Sequence, residues 1–266
     1  MPKFPQFTCF LHHFLYLSGH KTTKLMIEKT RGIVLHQTRG ATGHLIVTIF
    51  TEDCGAVAFV VKPSRAKTQR LHTNLLRPLS IVDLSFDLRV NQSLQRIDDL
   101  HVGMAYRSLP YHPVKETIAL FLGEFLYYSL RNETRNQPLF AFLCNSLAWL
   151  DACDSGLANF HLTLLLRLTR FLGFWPSVDA SAQGMFFDMQ TCQYTEVRPP
   201  HGAYLTPEEA GLMPLMMRMN FPSMHLFRMN REQRNRFLDI LEAYYQQRIP
   251  GFPPLRSLQV LRDLLN

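Results

Sequence analysis

The sequence lacks the short motifs that mark common catalytic and nucleotide-binding sites. It contains no G-x-x-x-x-G-K-[ST] loop, no G-x-G-x-x-G turn, no H-E-x-x-H helix and no G-x-S-x-G elbow. The eleven histidines show no ligand spacing to carboxylates, and the acid pair Asp98–Asp99 points to opposite sides of a strand. We therefore expect a protein that is not an enzyme and that uses no metal or other cofactor.

Cysteine is also scarce, and long apolar runs are missing. The five cysteines include no C-x-x-C pair, which argues against a zinc ribbon or a redox site. Their odd number, without a convincing secretion signal, predicts reduced thiols in the cytoplasm. The most apolar runs, 118–130 and 139–150, are shorter than the roughly 20 residues of a membrane-spanning helix. We expect a cytoplasmic protein with no membrane partner.

Acidic residues are missing where basic residues are dense. The net charge is +7, and residues 1–25 hold three lysines and no acid. The segment 62–77 also has no acid, and its five cations are Lys62, Arg65, Lys67, Arg70 and Arg77. Lys and Arg neutralise phosphates, so this segment favours a nucleic-acid contact over the alternative of a solvated loop. Arg39 and Arg89, in neighbouring loops, would extend the same track.

Short strands dominate the first part of the chain. Residues 82–90 alternate strictly between apolar and polar side chains, which is the pattern of a half-buried strand. Similar runs lie at 32–36, 44–50, 56–61 and 93–102. Five short strands predict a small barrel that hides its own edges.

Helical periodicity begins at Pro113 and continues to the end of the chain. The predicted helices start near Pro113, Pro138, Gly156, Pro207, Arg231 and Leu255. The region of about 174–204 is irregular and holds a possible hairpin of residues 185–189 and 193–197. The fold class is therefore α+β, with a barrel followed by a helical bundle that carries a small irregular or hairpin insertion.

The same patterns divide the chain into three parts. We assign 26–110 to the barrel domain and 111–266 to the helical domain, with the insertion inside the latter. Residues 1–25 are expected to be an extension that is not native or is disordered, with Met26 as the natural start.

A second group of cations surrounds the start of the fifth helix. It consists of Arg228, Arg231, Arg234 and Arg236. Cations at a helix start oppose the helix dipole, so one interpretation is an outside partner. The other is pairing with Glu232, Asp239 or the acids of a neighbouring helix.

Several segments, in order, resemble the RecO family of bacterial DNA repair and recombination mediators, in the style of its Bacteroides-type branch. The N-terminal segments are "TRGIVLHQTR", "LIVTIFTEDCG", "VVKPSR", "LLRPLSIVDL" and "LQRIDDL". The later ones are "ANFHLTLLLRLTRFLGFWP" and "LRSLQVLRDLL". Together they span about residues 27–265. Some family members carry a four-cysteine zinc module after the Gly-Phe segment, but only Cys192 remains here, so we expect no zinc.

The resemblance implies an OB-fold barrel followed by an α-helical domain. It implies binding of single- and double-stranded DNA and annealing of complementary strands in the bacterial nucleoid. It also implies work with RecR, and in some bacteria RecF, to replace single-strand-binding protein by RecA. The implied basic face of the barrel consists of Arg31, Arg39, Lys62, Arg65, Lys67, Arg70, Arg77 and Arg89.

The resemblance further implies that the helical domain receives the acidic-hydrophobic tail of single-strand-binding protein. The candidates for that contact are Arg167, Arg170, Arg228, Arg231 and Arg234. The alternative function is a protein–protein adaptor for an acidic tail, with only incidental contact to DNA.

Overall fold

The computed structural model describes residues 27–40, 43–61, 75–89, 91–177 and 184–264. Five strands form a closed barrel in the order β1-β2-β3-β5-β4. They are β1 (Ile27–Arg39), β2 (Leu45–Thr51), β3 (Gly55–Val61), β4 (Ile81–Asp87) and β5 (Gln95–Val102). The predicted fold class, a five-stranded barrel followed by helices, is confirmed.

The barrel interior is filled by the apolar positions that the period-two pattern predicts. Phe59 and Phe86 meet edge to face with ring centroids 5.0 Å apart, and both are fully buried. Phe50 is fully buried too, but it packs toward Phe140 of the helical domain. All three phenylalanines are therefore core residues, and none offers a stacking surface on the barrel exterior.

The helical domain contains six α-helices within the described residues. They are α1 (Pro113–Leu130), α2 (Gln137–Ala152), α3 (Phe160–Phe171), α4 (Pro207–Arg218), α5 (Arg231–Arg248) and α6 (Leu258–Leu264). Thr206 and Glu209 form a capping box at the start of α4, and Asn230 and Gln233 form one at the start of α5. Both boxes satisfy backbone N–H groups that the first turn leaves free, which fixes where each helix begins. None of the described helices is long and apolar enough to cross a membrane.

The barrel and the helical domain share one hydrophobic core. The ring of His36 on β1 stacks on Tyr127 of α1 with centroids 4.4 Å apart. The backbone N–H of Ala56 donates to the carbonyl of Glu133, between α1 and α2, at 2.9 Å. Buried barrel residues such as Ile33 belong to the same cluster as the buried faces of α1 to α5. The two parts are therefore packed together rather than joined only by a linker.

The connection between β5 and α1 is fixed by Asp151 near the end of α2. Its carboxylate accepts backbone N–H bonds from Arg107, Ser108 and Leu109 at 2.9, 2.8 and 2.7 Å. The ammonium of Lys115, which is 1% exposed, donates to the Ser108 hydroxyl and to the Asp151 carbonyl. Together these bonds hold the connection against α2.

The insertion contains the predicted hairpin and a third strand that the sequence did not predict. β6 (Phe186–Asp188) pairs with β7 (Gln193–Thr195) on one side and with β8 (Tyr204–Leu205) on the other. The Tyr244 hydroxyl of α5 donates to the Phe174 carbonyl at 2.7 Å and lies 2.8 Å from Cys192 Sγ. These contacts attach the sheet to the bundle.

Candidate nucleic-acid interface

Strand pairing brings three strand ends to one end of the barrel. Arg39 pairs with Leu45 across β1 and β2, and Leu45 pairs with Val61 across β2 and β3. β3 then runs parallel to β5, where Val60 pairs with Arg96. The β1–β2 loop, the end of β3 and the β4–β5 loop therefore meet at one end, which we call the barrel rim. Barrels of this type use the same two loops to bind oligonucleotides.

The barrel rim carries three exposed arginines, Arg39, Arg89 and Arg96. The backbone of Arg89 is held by Gln95, whose side-chain amide accepts from the Arg89 N–H and donates to the Arg89 carbonyl, both at 3.0 Å. Gln95 is 4% exposed and also donates to the Gln92 carbonyl at 2.7 Å. The Nε of Arg89 donates to a carboxylate oxygen of Asp87 at 2.9 Å. The other N–H groups of the guanidinium remain to donate to a phosphate. Hydrogen bonds therefore hold the β4–β5 loop in place at Arg89, which is one of the rim cations.

The sequence alone does not identify Arg96 as a rim residue. It lies on β5 between the exposed residues Leu94 and Asp98, and the period-two pattern alone places it on the outer face. Only its register with Val60 shows that it belongs to the rim rather than to the middle of a strand. No motif in the sequence carries that information.

Four residues of the predicted track lie outside the described residues. They are Lys62, Arg65, Lys67 and Arg70. The described chain ends β3 at Val61, at the rim, and begins again at Leu75. The predicted contact of these four residues with nucleic acid stays a prediction.

Arg31 lies on a different part of the barrel from the rim. Its Nε is 3.5 Å from the Asp83 carboxylate, and both side chains are about half exposed. The two residues line a depression of about 650 Å³ whose other charged members are Lys29, Glu52, Asp53 and Asp99. The four carboxylates outnumber the two Lys and Arg side chains, so this surface is acidic, which is unfavourable for a phosphate.

Arg77 lies at the junction of the barrel and α1. It is exposed and lines a groove of about 750 Å³ together with the exposed residues Val102, Tyr111 and Leu120. Val102 ends β5 and pairs with Val82 near the start of β4, so the groove is at the opposite end from the rim. The strand register thus places Arg39 and Arg89 at the same end of the barrel and places Arg31 and Arg77 elsewhere.

The cations of the helical domain fall into separate environments. Arg228 is exposed and lines an apolar groove of about 370 Å³ between α4 and α5. Arg231 and Arg234 lie near Arg262 and His161, and Arg234 Nη1 donates to the Met229 carbonyl at 2.5 Å. Arg236 pairs with Glu209 of α4, which agrees with the pairing interpretation of this cluster.

Burial keeps the imidazole of His161, on α3, in its neutral form. It is 2% exposed, and burial followed by the nearby charge of Arg234 lowers its pKa to about 3. Its Nδ1 has no hydrogen-bond partner among the described residues. His161 is therefore a core residue of α3.

Arg167 and Arg170 share one face of α3. Arg167 Nε donates to the Met219 carbonyl at 3.1 Å, and Arg170 is exposed. Burial, and then repulsion from Arg170, lowers the pKa of Arg167. In the described parts of the chain, no three His, Cys, Asp or Glu side chains are grouped as metal ligands.

Two family models match this chain. The family model described as Recombination protein O N terminal matches residues 26–103, and Recombination protein O C terminal matches residues 112–259. The chain belongs to the RecO family. RecO family membership gives it a role in DNA repair and recombination, and the closed barrel fits the OB-like N-terminal domain.

Individual RecO relatives match almost the whole chain. A protein named DNA repair protein RecO from Phocaeicola vulgatus is 45% identical over 241 residues, which is 91% of this chain and 100% of the relative. One from Bacteroides fragilis is 45% identical over 242 residues with the same coverage. One from Porphyromonas gingivalis is 31% identical over 245 residues, again 91% and 100%. The resemblance to the RecO family is confirmed.

Proposed function

We propose that this protein is a non-enzymatic recombination mediator that binds single- and double-stranded DNA on its barrel. It anneals complementary strands and helps RecA to replace single-strand-binding protein, together with RecR and, in some bacteria, RecF. It acts in the cytoplasm on the DNA of the nucleoid. The observation that carries the proposal is the barrel rim, where Arg39, Arg89 and Arg96 are exposed at converging loops.

Phosphate contacts supply most of the affinity in this proposal. The barrel phenylalanines Phe50, Phe59 and Phe86 are buried, so bases have no ring to stack on there. The track consists of the rim and of Lys62, Arg65, Lys67 and Arg70, which follow β3 in sequence. Arg31 lies on an acidic surface and Arg77 lies at the opposite end of the barrel, so we expect both to contribute less than the rim arginines. Neutralising two strands on one surface reduces their mutual repulsion, and complementary strands then pair.

The test is fluorescence anisotropy of a labelled single-stranded oligonucleotide over a salt series. The variants are R39Q, R89Q and R96Q, singly and combined, and the charge reversal of Lys62, Arg65, Lys67 and Arg70. Each lost phosphate contact lowers the slope of log affinity against log salt by about 0.7. The slope of the triple rim variant is therefore expected to fall by about 2. The charge reversal is expected to abolish DNA binding, while circular dichroism shows that the protein remains folded.

The control for this series is R256Q, because Arg256 is exposed just before α6 in the helical domain and is not one of the rim residues. R31Q is the second comparison. Arg31 has carboxylate neighbours, so we expect its loss to weaken binding less than the loss of Arg39 or Arg96, which form no ion pair among the described residues. The proposal is wrong if the triple rim variant binds DNA with wild-type affinity, or if R256Q loses as much DNA affinity as the rim variants. A strand-annealing assay on the same variants tests the second half of the function.

The groove between α4 and α5 is the proposed receptor for the acidic-hydrophobic tail of single-strand-binding protein. Its apolar lining includes Leu212, Leu215 and Phe237, and the first two are about half exposed. Arg228 lines the groove and offers a positive charge to the tail. The other charged lining residues are the pair Glu209–Arg236 and Glu232. An apolar side chain inserted into the groove and a carboxylate on Arg228 together match such a tail. Arg167, Arg170, Arg231 and Arg234 are the other candidate contacts.

This groove also favours a second function, a protein–protein adaptor with only incidental DNA contact. The discriminating measurement titrates a labelled acidic tail peptide against the wild type, R228E and the triple rim variant. The mediator binds both peptide and DNA, and R228E weakens only the peptide. Peptide binding without DNA binding at low salt would favour the adaptor.

A further inference from the structure

Five aromatic rings form a nearly parallel array where α2, α3 and the chain after α4 meet. We call Phe142, Trp149, Phe160, Phe171 and Phe221 the aromatic stack. Phe142 stacks on Phe171 with centroids 4.7 Å apart and on Phe221 at 6.4 Å. Phe221 lies 5.1 Å from Phe160 and 5.6 Å from Trp149, and Trp149 lies 6.0 Å from Phe160. All five interplanar angles are between 11° and 28°.

The aromatic stack differs from the buried aromatic pairs of the same protein in two respects. Phe125 meets Tyr245 at 77° and Phe59 meets Phe86 at 84°, which are the edge-to-face contacts common in cores. In the stack the rings are parallel, and every member except Phe160 is partly exposed. Phe171 has one ring neighbour in the stack, so it forms one end of the array.

The surroundings of the stack carry cations but almost no negative charge. Arg167 and Phe171 are four residues apart on α3, so they share one helix face with Arg170. Residues 137–150, 155–177 and 210–231, which supply the stack, contain no Asp or Glu. Within the described residues, neither Arg167 nor Arg170 forms an ion pair with a carboxylate. A bound phosphate would relieve the repulsion between the two guanidinium groups.

We propose that the aromatic stack, together with Arg167 and Arg170, is a second binding site for single-stranded DNA. Bases continue the ring array at its exposed members, and the two guanidinium groups neutralise backbone phosphates. The site supplies what the barrel lacks, since the barrel rim offers charge without rings. The inference rests on the proposed function and deepens it, because annealing then has one surface for each of two strands.

Trp149 provides a direct reporter of this site. The chain has two tryptophans, Trp149 and Trp175, so the variant W175F leaves emission from Trp149 alone. The experiment titrates this full-length variant with oligothymidylate and follows Trp149 fluorescence and the anisotropy of labelled DNA in parallel. We expect salt-sensitive quenching, because a base stacked on the indole quenches its emission. Circular dichroism checks that W175F is folded.

Three further substitutions in the W175F background separate stacking from charge. F171L keeps an apolar side chain but removes the terminal ring, and a base-stacking loss corresponds to a roughly 5- to 150-fold weaker quenching affinity. R170Q lowers the salt slope of quenching by about 0.7. R256Q, a neutralised arginine on another part of the helical domain, leaves the quenching curve unchanged. The triple rim variant R39Q/R89Q/R96Q weakens the anisotropy signal and retains the quenching.

Each outcome decides between the two proposals. DNA binding by anisotropy without quenching of Trp149, or quenching that F171L and R170Q do not alter, overturns the second site and leaves the barrel function standing. Quenching by an acidic peptide but not by DNA also overturns it and assigns the surface to a protein partner. No DNA binding at low salt overturns the proposed function and this inference together. Photocrosslinking of iododeoxyuridine-labelled DNA to the peptide containing Trp149 or Phe171 would support the site directly.

Discussion

Replacing Asp151 by asparagine tests how firmly the connection between β5 and α1 is held. Asn keeps the size of the side chain but removes its charge and one of its two acceptor oxygens. In the native protein one oxygen accepts from Ser108 and Leu109, and the other accepts from Arg107. The variant D151N therefore loses the Arg107 bond outright and converts the other two from charged to neutral.

The size of the effect follows from those three bonds. Losing one bond to a charged acceptor costs about 1.5 kcal/mol, and weakening the other two costs about 0.5 kcal/mol each. We expect D151N to lower the free energy of unfolding by about 2.5 kcal/mol in urea denaturation followed by circular dichroism. D154N is the matched control, because Asp154 is exposed three residues away and makes no hydrogen bond among those described.

The pH dependence gives a second check on the same residue. Burial alone would raise the pKa of Asp151, but the N–H bonds from Arg107, Leu109 and Ser108 outweigh it and lower the pKa overall. A lowered folded-state pKa means that the stabilisation is complete above the unfolded pKa of about 3.9 and is lost as the pH falls through the folded-state value. The difference in free energy of unfolding between wild type and D151N should therefore be constant above about pH 5 and become smaller below about pH 4. A gap smaller than about 0.5 kcal/mol at pH 7, or one equal to that of D154N, would refute the reasoning.

Two more substitutions test the packing of the barrel on the helices and of the bundle itself. Gly55 has φ +73° and a Cβ there would lie 2.4 Å from the Glu133 carbonyl oxygen, so G55A should cost well over the about 1–2 kcal/mol of positive φ alone. G43A is its control, since Gly43 has φ +76° with nothing within 4 Å, and equal losses would contradict the clash. Y245F removes a buried hydroxyl that donates to the Leu165 carbonyl at 2.8 Å, so it should cost about 1–1.5 kcal/mol in urea denaturation. Y111F, at an exposed tyrosine, should be neutral by comparison.

Local patterns predicted the elements, whereas tertiary contacts set their ends. The alternation of 82–90 predicts β4, but the strand ends at Asp87 because Gln95 captures the backbone of Arg89 instead. β1 extends over Ile27–Arg39, beyond the predicted 32–36, because it pairs with β4 along its first half and with β2 along its second. The two residues of β8 form a strand only because β6 is beside them. The end of β4, the length of β1 and the presence of β8 therefore depend on tertiary contacts and not on the local sequence.

The candidate sites divide in the same way. Arg39 ends β1 and Arg89 lies in the β4–β5 loop, and strand order alone predicts that both lie at the same end of the barrel. The environment of Arg31 depends on its pairing with Asp83, and that register is visible only in three dimensions. The aromatic stack joins residues up to about 80 positions apart in the sequence, which no spacing rule detects.

The barrel closes through a very short seam. Within the described residues, β3 and β5 are joined by two residue pairs, Phe59 with Gln95 and Val60 with Arg96, whereas β2 and β3 are joined along their whole lengths. Arg96 is thus both a member of the rim and part of the last pair that completes the cylinder. Tension on a DNA strand bound at the rim would act first on these two residue pairs. The surface proposed to hold DNA is therefore also the place where the barrel would open.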